Sequence, residues 1–170
     1  MPSGRVHEAI NLGVLGLATA AYWVYQPDFE ISQPALVAFM GSYLLGTFLI
    51  TPDLDLAEQQ VRAKGHWGWL GWLWVPYGWM FAHRGLSHTW LIGPLTRLLY
   101  LGAVGLVVFW LCGAISSYLG LDISLQAQLK APSQEVFWAL VSGYYISQWL
   151  HLIADGIWPD RGRLLRSRRR

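Results

Sequence analysis

The stretch "HRGLSHTW", residues 83–90, holds two of the five histidines in a chain of 170 residues. His83 and His88 are five positions apart, so they do not share a helix face, where neighbours lie three or four residues apart. Gly85 between them permits a tight bend. The spacing therefore predicts a turn that aims two imidazoles at one point, just before a long apolar run.

Other ionisable residues stand at the ends of apolar runs. His151 and Asp155, in "WLHLIADG", are four apart in a predicted helix, so both side chains lie on one helix face. Asp53 and Asp55, in "TPDLDL", stand where a helix ends, and an irregular backbone there can aim both carboxylates the same way. His7 can reach inward from the first turn of the first helix.

Each residue alone has a simpler explanation. A single His is often only hydrogen-bonded, and Asp53 or Asp55 could cap a following helix. Asp155 could be only the hydrogen-bond partner of His151. Together, imidazole and carboxylate ligands suit a divalent transition metal, Zn first and Mn or Fe next, better than Ca or Mg. The candidates outnumber the four ligands of a closed zinc site and indicate one or two ions: His7, Asp53, Asp55, His83, His88, His151 and Asp155.

The composition indicates where such a centre would lie. Hydrophobic residues make up 54% of the chain and charged residues 13%, against about 25% charged in soluble domains. We therefore expect an all-α membrane protein whose four transmembrane helices cover 9–25, 34–52, 91–119 and 136–158. Residues 1–160 would form a single four-helix membrane domain, and residues 161–170 a basic cytoplasmic tail.

Basic residues predict the orientation. Lys and Arg outside the spans, apart from Lys130, fall on one side, so the positive-inside rule places both termini and the 53–90 loop in the cytoplasm. With alternating spans, Glu8 and all seven candidate ligands reach that same side. The tail "RGRLLRSRRR" holds six of the twelve Lys and Arg residues. We interpret it as an anchor for anionic lipid rather than a nucleic-acid contact, and the alternative is a solvated tail.

An aromatic segment separates the second and third spans. Residues 67–81, "WGWLGWLWVPYGWMF", carry five Trp and one Pro, and Pro76 would break a continuous helix. We predict that this segment lies in the membrane interface, where it anchors the loop or lines a path for a lipid substrate.

Two other patterns in the sequence resemble known motifs, a zinc-protease signature and a signal peptide, without matching them. "HEAIN" lacks the second His of H-E-x-x-H, which argues against a zincin-type protease. The first apolar run, with "ATA" at 18–20, could be a signal peptide, but its apolar character continues past these small residues. We interpret it as a retained span.

The motifs "SGRVHEAI", "TPDLDL", "HRGLSHT" and "HLIAD", in this order, resemble the membrane-bound predicted metal-dependent hydrolases of the LexA-regulated type. The chain is more similar to a sister group of metal-binding membrane proteins of unknown function, with its Pro-Asp-Leu-Asp and His-Arg…Ser-His motifs. The resemblance implies that all seven candidates are metal ligands. Glu8 stands where that group often has Asp.

Our leading hypothesis is a membrane-embedded metal-dependent hydrolase that acts on a phosphate or other ester of a lipid or interfacial molecule. Glu8 is the general acid/base candidate, Arg84 would hold the substrate, and His66 is interpreted as structural. One alternative is a non-enzymatic metal-binding membrane protein that stores, senses or hands over an ion, or is held together by it. The other is an assembly or scaffold factor without metal. Membrane lipid is the expected partner, and no nucleic acid is expected.

Overall fold

The computed structural model describes residues 3–25, 30–56, 61–81, 85–121 and 131–159. Every regular element within these ranges is helical, which confirms the prediction of an all-α chain. The α-helices are α1 (Gly4–Tyr25), α2 (Gln33–Phe48), α3 (Arg62–His66), α4 (Val75–Met80), α5 (Ile92–Tyr118) and α6 (Gln134–Ala154). Short 3₁₀ helices cover Pro52–Asp55, Gly68–Trp74 and Leu86–His88.

Serine caps begin two of the long helices. Ser32 Oγ accepts a hydrogen bond from the backbone of Ala35 at the start of α2, and Ser133 Oγ accepts one from Val136 at the start of α6. Each cap satisfies one of the amide groups that a helix start leaves unpaired. The chain leaves helical geometry after α2, and Pro52 then begins the 3₁₀ turn that carries the two aspartates of "TPDLDL".

Helices α2 and α6 form the centre of the bundle and pack closely along their length. A Cβ on Gly143 would collide with the carbonyl oxygen of Phe39 and the hydroxyl of Ser42. A Cβ on Gly46 would collide with Ser147 Oγ. Small residues at such crossings let two helix backbones approach each other, so these glycines set the distance between α2 and α6.

Helix α1 joins this pair through polar contacts at its own first half. Asn11 Nδ2 donates to Thr47 Oγ1 and to the carbonyl oxygen of Ser147, both at 3.2 Å. The Tyr43 hydroxyl donates to the carbonyl oxygen of Asn11 at 2.8 Å. These bonds hold the start of α1 beside the ends of α2 and α6.

The aromatic segment 67–81 is a 3₁₀ helix followed by the short helix α4. Trp74 and Tyr77 are fully buried and pack with Leu54 and Ala63 in a small core. Trp69 and Trp79 point outward and are 78% and 73% exposed. The segment therefore packs against the fold through Trp74 and Tyr77 and presents Trp69 and Trp79 at the surface.

The four predicted spans correspond to α1, α2, α5 and α6, yet among the described helices α5 alone is both long and apolar enough to cross a membrane. Helix α2 has 16 residues, about 24 Å, which is less than the roughly 30 Å of a hydrocarbon core. Polar side chains such as Asn11 in α1 and Gln148 in α6 interrupt the other two. Four transmembrane helices are therefore not supported. The predicted division into a domain and a tail stays a prediction, and the tail lies outside the described residues.

Candidate metal centre

Four separate segments bring candidate ligands to one end of the bundle. The first turn of α1 supplies His7, and the last turn of α6 supplies His151. Asp155 is the residue directly after the end of α6. The 3₁₀ turn that follows α2 supplies Asp53, and the turn that precedes α5 supplies His88. Because α1 begins where α2 and α6 end, side chains that are far apart in sequence meet there.

His7, His151 and Asp155 form a first group, whose ligand atoms all lie within 4.8 Å of one another. His7 Nε2 is 3.2 Å from Asp155 Oδ1, and His151 Nε2 is 3.5 Å from Asp155 Oδ2. The two imidazole rings stack with centroids 3.8 Å apart and an interplanar angle of 13°. Two parallel imidazoles thus face one carboxylate.

A second group consists of Asp53, His88 and Asp155, and its ligand atoms also lie within 4.8 Å of one another. The two groups are continuous, since His151 Nε2 of the first lies 3.5 Å from Asp53 Oδ1 of the second. Asp155 belongs to both groups, and a carboxylate has one oxygen for each of two ions. The arrangement can therefore hold one cation in either group, or two cations bridged by Asp155.

The donor atoms are buried, and several make no hydrogen bond. The side chains of His7, His151 and Asp155 are 6%, 5% and 1% exposed. Among the described residues, His151 Nε2 and both carboxylate oxygens of Asp155 lack a hydrogen-bond partner. A buried polar atom left in this state costs about 1–3 kcal/mol, and a bound cation would satisfy all three at once. These residues therefore fit a divalent metal ion.

The two acidic candidate ligands are held in their charged form. Burial alone would raise the pKa of Asp53, but the close contact and charge of His151 outweigh it and lower the pKa below its ordinary value. The pKa of Asp155 is lowered in the same way, with burial opposing the effect of His151. Both carboxyl groups are thus ionised at neutral pH, the form of a carboxylate that binds metal. Burial lowers the pKa of His151, but Asp155 and Asp53 outweigh it and raise that pKa, so His151 must give up a proton when a metal binds.

Asp55 lies behind His88 in the buried interior. Its Oδ2 is 3.0 Å from His88 Nδ1 and accepts a hydrogen bond from Ser87 Oγ at 2.5 Å. A carboxylate that holds one ring nitrogen of a ligand His orients the other nitrogen towards the metal. The geometry supports an orienting role for Asp55, and the prediction that it is itself a ligand stays a prediction.

Glu8 faces other partners. Its carboxylate accepts hydrogen bonds from Arg62 Nε at 2.6 and 2.7 Å and lies 2.9 Å from His66 Nε2. Glu8 belongs to neither metal group, so its role as general acid/base stays a prediction. His66, interpreted from the sequence as structural, has this acidic partner 58 positions away.

Two predicted site residues are not placed. His83 and Arg84 lie outside the described residues. Their assignments, His83 as a metal ligand and Arg84 as the group that holds the substrate, therefore stay predictions that rest on the sequence.

A set of buried polar residues beside the two candidate metal groups was not predicted from the sequence. Asn11 is 2% exposed, Arg97 is 1% exposed and Gln148 is fully buried. The available signal was the presence of amide and guanidinium groups inside apolar runs, because such groups face the protein interior rather than lipid.

Comparisons with known proteins agree with a metal centre. A model of the family described as "Uncharacterized metal-binding protein (DUF2227)" matches residues 2–165. An uncharacterized protein of Aquifex aeolicus (strain VF5) is 40% identical over 72 residues, which are 42% of this chain and 49% of that relative. The chain thus spans about half the length of the curated relative it matches. No solved structure matches the chain. The family match agrees with the resemblance to the metal-binding sister group and gives no support to a hydrolase family.

Proposed function

The chain belongs to this family of uncharacterized metal-binding proteins, and from that premise we propose that it is a metal-dependent hydrolase with a two-ion centre. One ion would be held by His7, His151 and Asp155, and the other by Asp53, His88 and Asp155. The substrate would be a phosphate or other ester of a lipid or interfacial molecule.

The observation that carries this proposal is the sharing of Asp155 between two three-residue groups. Closed structural zinc sites use four protein ligands, whereas catalytic sites keep three and leave a position open. Pairs of divalent ions about 3.5–4 Å apart polarise a phosphoryl oxygen and lower the pKa of water. On each side of Asp155, two other residues and one carboxylate oxygen together offer three protein donors, which matches that chemistry.

The remaining residues have distinct parts in the proposal. Asp55 fixes the ring of His88 through its Nδ1. Glu8 would move a proton at the edge of the centre, where Arg62 now binds its carboxylate. Arg84, next to His83 in the sequence, would bind the anionic group of the substrate as a bidentate partner.

The donor set favours particular metals. Imidazole and carboxylate ligands together suit Zn, Mn and Fe, whereas Ca and Mg prefer oxygen ligands alone. We propose Zn as the resident ion, with Mn or Fe as the ions that the same donors would accept.

We also propose that this centre lies at the cytoplasmic side of a membrane. The length and apolar composition of α5 support insertion, and Leu106 and Trp110 on that helix are 71% and 70% exposed. The exposed rings of Trp69 and Trp79 suit a water–lipid interface. The excess of Lys and Arg on one side supports cytoplasmic termini. Membrane lipid is then the partner, and no nucleic acid is proposed.

One observation favours a non-enzymatic alternative, in which the metal is stored, sensed or used to hold the helices together. Apart from the Asp53 side chain, which is 21% exposed, the donors of the two groups are almost fully buried. Buried donors suit a site that holds an ion and has little need to admit a substrate.

Turnover by metal-loaded protein separates the two functions. Detergent-purified protein would be loaded in turn with Zn, Mn and Fe and assayed with p-nitrophenyl phosphate, p-nitrophenyl acetate and vesicles containing phosphatidic acid. We expect hydrolysis of an ester by the wild type and by the control variant Glu30→Gln, whose residue is exposed, and none by Asp155→Asn. Stoichiometric metal without hydrolysis of any ester would support the non-enzymatic alternative.

A further inference from the structure

Arg97 is a buried cation in the first turns of α5, with 1% of its surface exposed. Among the described residues, no carboxylate lies within ion-pair distance of its guanidinium, and its Nε has no hydrogen-bond partner. A buried charge without an ionic partner is expensive, and such residues in apolar helices usually mark a function. The position of this charge therefore calls for an explanation beyond stability.

The guanidinium connects two segments that carry metal ligands. Its Nη1 donates to Gln148 Oε1 at 2.8 Å, and its Nη2 donates to the carbonyl oxygen of Ser87. Gln148 lies three positions before His151 in α6, and Ser87 directly precedes His88. One side chain of α5 thus joins the helix that supplies the first metal group to the turn that supplies the second.

A second, independent contact fixes the same turn on α5. A Cβ on Gly93 would collide with the carbonyl oxygen of Ser87, the atom that Arg97 also binds. The missing side chain at position 93 lets the turn lie directly against the helix. The hydroxyl of Ser87 then donates to Asp55, which holds His88 through Nδ1. A chain of contacts therefore runs from Arg97 through Ser87 and Asp55 to the imidazole ring of His88.

We propose that Arg97 is a positioning residue of the metal centre and that its two-pronged contact fixes the separation between His88 and His151. The inference rests on the metal-binding centre proposed above. Arg suits this role because its planar fork donates in two fixed directions, which Lys cannot reproduce. Partners outside the ligand shell typically change metal affinity by about 10–100-fold when they are removed.

The test is Zn affinity together with the visible absorption spectrum of the Co-substituted protein, which reports ligand geometry. We expect Arg97→Gln to bind Zn about 10–100-fold more weakly and to shift the Co spectrum, with Arg97→Lys recovering little of either. Gln148→Leu, which removes one of the two hydrogen bonds of the Arg97 guanidinium, should also weaken Zn binding and shift the Co spectrum. Tyr43→Phe is the matched control, since it removes a buried hydrogen bond between α1 and α2 without touching the Ser87–Gln148 connection.

The outcomes separate this inference from the function on which it rests. A folded Arg97→Gln variant with wild-type affinity and an unchanged Co spectrum overturns the positioning role and leaves the metal centre in place. A wild-type protein that binds neither Zn nor Co overturns both. If Arg97→Gln does not fold, Gly93→Ala, which displaces the same turn from α5, and Gln148→Leu decide the question by the same two measurements.

Discussion

One end of this molecule buries polar side chains, and the other end exposes large apolar ones, so both depart from the usual distribution of side chains. Where α1 begins and α2 and α6 end, His7, Asn11 and His151 are buried. Along the second half of α5, Leu106 and Trp110 are exposed. Burying unpaired polar groups costs free energy, and so does exposing large apolar surfaces to water. We propose that a bound cation accounts for the polar end and that contact with lipid accounts for the apolar end.

The largest expected effect is at the polar end. Asp155→Asn removes the negative charge of the one residue that both metal groups share, so we expect the protein to lose both ions. Its metal affinity should fall by more than the roughly 100-fold typical of changes outside the ligand shell. His7→Ala, which touches the first group alone, should lose one ion. Elemental analysis by mass spectrometry checks both, and Glu30→Gln is the exposed acidic control. Retention of two ions by Asp155→Asn would refute the shared carboxylate.

The apolar end is tested by a charge in the middle of α5. Leu106→Arg places a cation on the exposed apolar surface, which costs about 2.5–3.5 kcal/mol at the centre of a membrane helix. We expect the variant to be extracted from membranes by alkaline carbonate, while the wild type and Leu106→Ala stay in the pellet. Equal extraction of all three would mean that α5 does not hold the protein in lipid.

A further test at the polar end concerns Glu8, which follows His7 in α1. If Glu8 is the general acid/base, Glu8→Gln should lower turnover by about 100-fold and leave the metal content unchanged. Arg62→Gln removes the ion pair of Glu8, and because exposed ion pairs contribute about 0–1 kcal/mol, its turnover should change by less than about fivefold. If both variants lower turnover only slightly and to the same extent, the Glu8–Arg62 ion pair has a structural role alone.

The helices, and the meeting of candidate ligands at one end of the bundle, could be predicted from the apolar runs and the positions of polar residues at their ends. Apolar runs place α5 almost to the residue, and the i, i+4 spacing of His151 and Asp155 predicts their common helix face. The partners of Glu8 could not be predicted, since Arg62 and His66 reach it through tertiary packing of a segment without strong periodicity. Four spans are not supported, because an apolar run indicates a helix but not that it crosses a membrane, and among the described helices α5 alone is long and apolar enough to do so.

The smallest expected effect concerns the packing that holds the two ends together. Gly143→Ala forces a methyl group into the backbone of α2 at Phe39, and such overpacking costs about 1–3 kcal/mol. Gly41→Ala, where nothing lies within 4 Å of the added carbon, should be neutral or slightly stabilising. Thermal unfolding in detergent compares the two, and equal melting temperatures would contradict the close contact of α2 with α6.

The most direct test of the central claim is the number of transition-metal ions per chain in detergent-purified protein after reloading with Zn, counted by native mass spectrometry. Two ions per chain are predicted from the two groups that share Asp155. One ion would contradict the bridged centre, and none would contradict the metal site as a whole.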